Sequence, residues 1–158
     1  MISATASERQ SFRDMLTKLK PSSDDSCITY ILEFCCDSNS EIGSQAEHVK
    51  NVQVFRATEE LNILTKQGLQ RCIDFLESHK GSHLWGSIPC TPWSQIQNLN
   101  IHMHGKSSEE YLAEQRRISM NVLGRFLTLA RIVKKNGGTI VLNGREWLRD
   151  GAKNSFNA

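Results

Sequence analysis

Short apolar runs alternate along this chain with stretches whose apolar residues recur every three or four positions. Ile28–Phe34 is a short apolar run, rich in β-branched and aromatic side chains, and predicts a buried strand. Val52–Ala57, His83–Ile88 and Thr139–Leu142 predict three more strands. Between them, Leu69, Ile73 and Leu76 recur at helical spacing and predict a helix over Thr65–His79, which Gly81 and Ser82 end. A longer helix is expected from a Ser107 cap, with Glu110 as its capping-box partner, to about Lys135. Its buried face would carry Tyr111, Leu112, Ile118, Val122, Leu123, Phe126, Leu127, Ala130 and Val133. Asn136-Gly137-Gly138 reads as its C-cap, with Lys134 and Lys135 suited to the negative end of the helix dipole. Ahead of the first strand, Ser7 and Gln10 open a further helix with Phe12, Met15, Leu16 and Leu19 on one stripe, and Pro21 to Asp25 form the loop that ends it. Cys35 to Gly43 and Pro89 to Asn100 read as loops.

Strands alternating with helices imply an α/β fold, a mostly parallel sheet with helices on both faces. The division expected is an N-terminal amphipathic helix and loop over 1–26, the α/β domain over 27–150 and a polar tail over 151–158. In such sheets ligands bind beyond the carboxyl ends of the strands, near the point where strand order reverses. Here those positions are the segments after Phe34, Ala57 and Ile88.

Composition narrows the choice of partners. The 158 residues suit one domain, and 19 Lys and Arg against 17 Asp and Glu leave a formal charge of only +2. That balance argues against a polybasic tail. No apolar run approaches the length of a membrane span, and the polar start MISATASERQ is unlike a signal peptide, so a soluble intracellular protein is expected. Five cysteines, an odd number, read as reduced thiols. No C-x-x-C pair is present, and His102 and His104 stand two residues apart without matching cysteines, so no metal site is expected.

The segment with chemistry to offer is Ser87-Ile88-Pro89-Cys90-Thr91-Pro92-Trp93-Ser94. It sets a cysteine directly after a buried strand and between two prolines that restrict the backbone, as a positioned nucleophile requires. A thiol there adds to an electron-poor carbon if its pKa is lowered or a base takes its proton. Pro89 to Ser94 resembles the proline–cysteine motif of the cytosine-5 DNA methyltransferases. The resemblance implies that Cys90 attacks carbon 6 of cytosine and activates carbon 5 for the methyl group of S-adenosylmethionine. Pro89, Thr91, Pro92, Trp93 and Ser94 would then shape the substrate loop, with Trp93 at the aromatic position.

Other segments are similar to parts of the class I methyltransferases, whose Rossmann-like sheet the resemblance implies. Glu33, Phe34, Cys35, Cys36 and Asp37 through Gly43 stand where that family keeps the Gly-rich loop under the methionine end of the cofactor, with cysteines and an aspartate largely replacing glycines. Glu59 or Glu60, after the second strand, matches the acid that holds the ribose hydroxyls, and Gly137 to Leu142 is similar to the fifth strand. The resemblance covers roughly residues 28–147 and also extends to methyltransferase-like segments of some retroelement polyproteins.

The departures are as specific. Asn143 stands where the cytosine-5 enzymes place a catalytic glutamate, and Glu146, three residues on, is the substitute candidate. The later strands and the target-recognition domain have no counterpart, so the sheet is expected to be incomplete at its C-terminal side and open to a partner chain or to self-association through its edge. Two alternatives follow. Ser87-Ile88-Pro89-Cys90 also resembles the four-residue loop of amino-methyltransferases, in which Ser87 would hold a target amine without a covalent step; a non-catalytic fragment or interaction module is the other.

Overall fold

The computed structural model describes residues 28–88 and 91–143. The expected helix over 7–19, the 151–158 tail, Pro89, Cys90 and Glu146 lie outside the described residues. Among the described residues the chain forms an α/β fold whose sheet has four strands: β1 (Thr29–Phe34), β2 (Val52–Ala57), β3 (His83–Ser87) and β4 (Ile140–Asn143). All three ladders are parallel and the order is β2-β1-β3-β4. The chain moves outward from β1 to β2, returns past β1 to β3, and continues to β4, so the direction of winding reverses between β1 and β3.

Four helices connect the strands: α1 (Glu41–Ala46), α2 (Lys66–Ser78), α3 (Ile96–His104) and α4 (Lys106–Lys135). Strand alternation divides the core. Leu32, Phe34, Ala57, Leu84 and Ile88 face α2 and α4, where Leu69, Cys72 and Leu76 meet Val122, Phe126, Leu129 and Val133. Fully burying each of the larger of these side chains contributes about 1.5–3 kcal/mol. Ile31 and Trp85 point to the opposite face, packed with Ile42 of α1 and with Val52, Val54 and Val141. Reversal of winding explains the division: right-handed crossovers running in opposite directions along a sheet put their helices on opposite faces.

Thr65 caps α2 through the Gly68 N–H, at 3.0 Å, as its hydroxyl predisposes it to do. Gly137, at φ +80°, ends α4: its N–H donates to Lys134 O, and the Gly138 N–H donates to Val133 O at 2.9 Å. This is the paired-bond C-cap that the glycine pair predicts. Two segments differ from the sequence expectation. The run expected as loop after Phe34 contains α1, capped by Ser40, and the run expected as loop after Ile88 contains a 3-10 turn (Thr91–Trp93) and α3. Both are too short for a hydrophobic period to stand out, and α3 has no buried residue at all. His102 and His104 therefore lie on a helix. The long helix begins at Lys106 after Gly105, and the Ser107 hydroxyl donates back to His104 O instead of capping it.

A 30-residue helix is about 45 Å long, whereas six strand residues span about 20 Å. Since α4 leads back into the parallel strand β4, its first half projects past the carboxyl end of β3 and carries α3 and the 3-10 turn over that end of the sheet.

Candidate functional site at the carboxyl end of the sheet

β1 delivers Leu32 and Phe34 to the thick face of the core and turns Glu33, between them, to the other face. The Phe34 side chain is buried against Phe126, ring centroids 5.5 Å apart. Glu33 is only 3% exposed. The Ser40 hydroxyl donates to Glu33 Oε1 at 2.5 Å, while Glu33 Oε2 is buried and has no hydrogen-bond partner among the described residues. Burial pushes the Glu33 pKa above its ordinary 4.5, opposed more weakly by the Ser40 bond and the positive charge of Arg56.

The chain leaves β1 through Cys35, held in the left-handed region at φ +57°. It then turns on Asp37, whose carboxylate accepts the Asn39 N–H at 2.9 Å. Ser40 has two roles, since its Oγ also accepts the Gly43 N–H and so caps α1. Arg56 stands beside Glu33 in the β1–β2 ladder and holds the loop from outside, donating to Ser38 O at 2.9 Å and pairing with Glu47 at 3.6 Å. Gly43 lies against the Arg56 guanidinium so closely that a Cβ would overlap it. Ser40 in this loop and Arg56 on β2 are two residues that sequence reasoning passed over. The serine ahead of Glu41 was a legible cap, but the approach of Arg56 depends on strand order.

Phe34 stands opposite both Ala57 and Gly86, so the segments after all three strands leave the sheet side by side. Glu59 and Glu60 are exposed on a 3-10 turn after β2. Ser87 ends β3 half-buried and Ile88 is buried. Beyond the two residues outside the description, Pro92 is buried and its carbonyl accepts Arg116 Nε at 3.0 Å. The Arg116 guanidinium lies 5.4 Å from the centre of the Trp93 ring, and Trp93 Nε1 donates to Ser119 Oγ at 3.2 Å. Arg125, further along α4, donates to Leu64 O. Trp85 is core, and Trp93 keeps 40% of its surface exposed. Thr91 accepts Gln97 Nε2 through its carbonyl, and the Ser94 N–H donates to the same oxygen.

Two open clefts flank this end of the molecule. One of about 280 Å³ runs along β2 between Val52, Val54 and Arg56 and the α1 residues Gly43, Ala46 and Glu47. The other, about 170 Å³, lies between Thr91, Pro92 and Gln97 and the α4 residues Tyr111, Leu112 and Gln115.

The free thiols among the described residues are Cys35, Cys36 and Cys72. Burial pushes Cys35 and Cys36 to about 12 and Cys72 to about 11, leaving them neutral. Among the described residues no three His, Cys, Asp or Glu side chains gather as metal ligands, and no helix is long and apolar enough to cross a membrane.

No protein-family model, curated protein or solved structure matches this chain.

Proposed function

We propose that this chain is a class I methyltransferase-like domain with a Rossmann-like sheet, that it binds S-adenosylmethionine at the carboxyl end of β1, and that its chemistry is cytosine-5 methylation of nucleic acid through Cys90. The observation that carries the reading is Glu33: a carboxyl buried beside the point of reversed winding, with one oxygen satisfied by Ser40 and the other open. A buried acceptor without a partner is costly, so a site that keeps one favours a donor brought by a ligand. The cofactor carries a cationic amino group suited to that oxygen, and Glu59 and Glu60 stand after the neighbouring strand for its ribose hydroxyls.

Two further features support it. The order β2-β1-β3-β4 is that of a doubly wound sheet around its switch point, and equally what remains of a 3-2-1-4-5 sheet when its third strand, at one edge, is absent. Cys35 adopts the left-handed conformation at the place where the related loops carry a glycine. In this reading Ser87 and Thr91 to Ser94 border the substrate, Trp93 offers a face for base stacking, and the target base leaves its duplex to reach Cys90.

A second reading, a non-catalytic interaction module, is favoured by the position of the clefts: the larger follows β2 and α1 and includes neither Glu33 nor Ser87.

Calorimetric titration with S-adenosylmethionine and S-adenosylhomocysteine separates the two readings. Micromolar binding, about −8 kcal/mol, weakened by Glu33→Gln and by Glu59→Ala with Glu60→Ala, supports the first. No binding to the folded chain at millimolar ligand supports the second. Given binding, retention of full methyl transfer by Cys90→Ser would exclude the covalent step and favour amino-group methylation at Ser87.

A further inference from the structure

Glu33 and Arg56 share one rung of the β1–β2 ladder and the face of the sheet that carries Ile31 and Val54, yet the guanidinium is spent elsewhere. It reaches over the turn after β1, donating to Ser38 O and pairing with Glu47 of α1 at 3.6 Å. Both contacts are open to solvent. Ser38 is exposed, and the Glu47 side chain keeps 72% of its surface in water, which screens an ion pair. Glu33, by contrast, is buried with Oε2 unpartnered among the described residues. Its other neighbours bring no cation: Trp85 stands beside it on β3, Cys36 and Ser40 lie on the turn, and Asp37 is exposed and accepts the Asn39 N–H.

We infer that Glu33 and Arg56 form a proton-operated latch on the turn from Cys35 to Ser40. With Glu33 protonated, its carboxyl is neutral, and Arg56 stays on Ser38 O and Glu47 and clasps the turn. When Glu33 releases its proton to solvent, the carboxylate draws the guanidinium onto Oε2, and the turn is let go. The exchange is favourable because a buried carboxylate without a partner is costlier than a lost bond to an exposed carbonyl, which water replaces. Hydrogen bonds between guanidinium and carboxylate are also among the strongest a side chain makes. Burial holds the Glu33 pKa above its ordinary 4.5, so the latch opens at a pH above the usual carboxylate range. The turn borders the carboxyl end of β1, so the latch controls that end of the sheet whichever ligand it takes.

Nuclear magnetic resonance of the full chain, without ligand, from about pH 4 to about pH 8 tests this. It follows the Glu33 carboxyl carbon, the Arg56 Nε–H and the relaxation of the Ser38 and Asn39 amides. The expected result is one shared midpoint, with the two amides rigid below it and mobile above it. In Glu33→Gln, which keeps the shape of the neutral side chain, the turn should stay rigid and Arg56 unmoved at every pH. In Arg56→Gln the turn should be mobile at every pH and the Glu33 midpoint should rise. Circular dichroism confirms that each variant folds, and if one does not, the shared midpoint in the wild type decides alone. A Glu33 that titrates while Arg56 and the turn stay fixed would overturn the inference. So would a Glu33 that keeps its proton throughout, or a turn whose mobility still changes with pH in Glu33→Gln.

Discussion

Ser40 Oγ and the Glu33 carboxyl meet at 2.5 Å, joining the end of β1 to the cap of α1 across seven residues. One hydroxyl thereby serves two elements, and its loss strips the cap and removes the hydrogen bond to Glu33 Oε1. Ser40→Ala is expected to destabilise the domain by about 1–2 kcal/mol, read from urea unfolding. An unchanged midpoint would show that the loop is not held by this contact.

Glu33 also makes stability depend on pH. Its folded pKa lies above the ordinary 4.5, so the folded state holds its proton more tightly than the unfolded chain. The associated stability is full below about 4.5 and declines as pH rises through the folded value, because ionisation leaves a charge buried. Urea titrations across that window should show stability falling with pH in the wild type, and this component should vanish in Glu33→Gln.

The thiols give a third expectation. With pKa values raised to about 12, 12 and 11, Cys35, Cys36 and Cys72 should resist iodoacetamide at neutral pH in the folded chain and react once it unfolds in urea. Peptide mass spectrometry resolves each site. Rapid native labelling of Cys36 would mean that its environment lowers the thiol pKa instead.

Core geometry supplies a fourth. A Cβ on Gly86 would overlap the Phe126 ring, so Gly86→Ala should cost about 1–3 kcal/mol by overpacking. Phe126→Leu should cost less when combined with Gly86→Ala than the two single costs together, since the smaller side chain makes room. Strict additivity in the double-mutant cycle would argue that the two residues do not touch.

The exposed stripe of α3 yields the last. Leu99→Glu removes no core contact and should leave monomer stability within about 0.5 kcal/mol of wild type while raising solubility. A large loss of stability would place Leu99 in the core of the monomer.

By itself the sequence determined the elements whose periodicity is long or strongly marked. All four described strands, α2, most of α4 and the Gly137–Gly138 cap were legible, because each follows from local spacing or from the backbone freedom of one residue. α1 and α3 were not, for each is short, and α3 shows its apolar stripe to solvent, against the pattern such readings rest on. Tertiary structure alone decided the order β2-β1-β3-β4, and with it which charges stand beside Glu33. Glu33 and Arg56 are far apart in sequence and neighbours only because β1 and β2 pair in that register, and Arg116 reaches Pro92 only because α4 overhangs the sheet. A pattern of residues states which face each side chain takes, but the pairing of distant strands sets what that face meets.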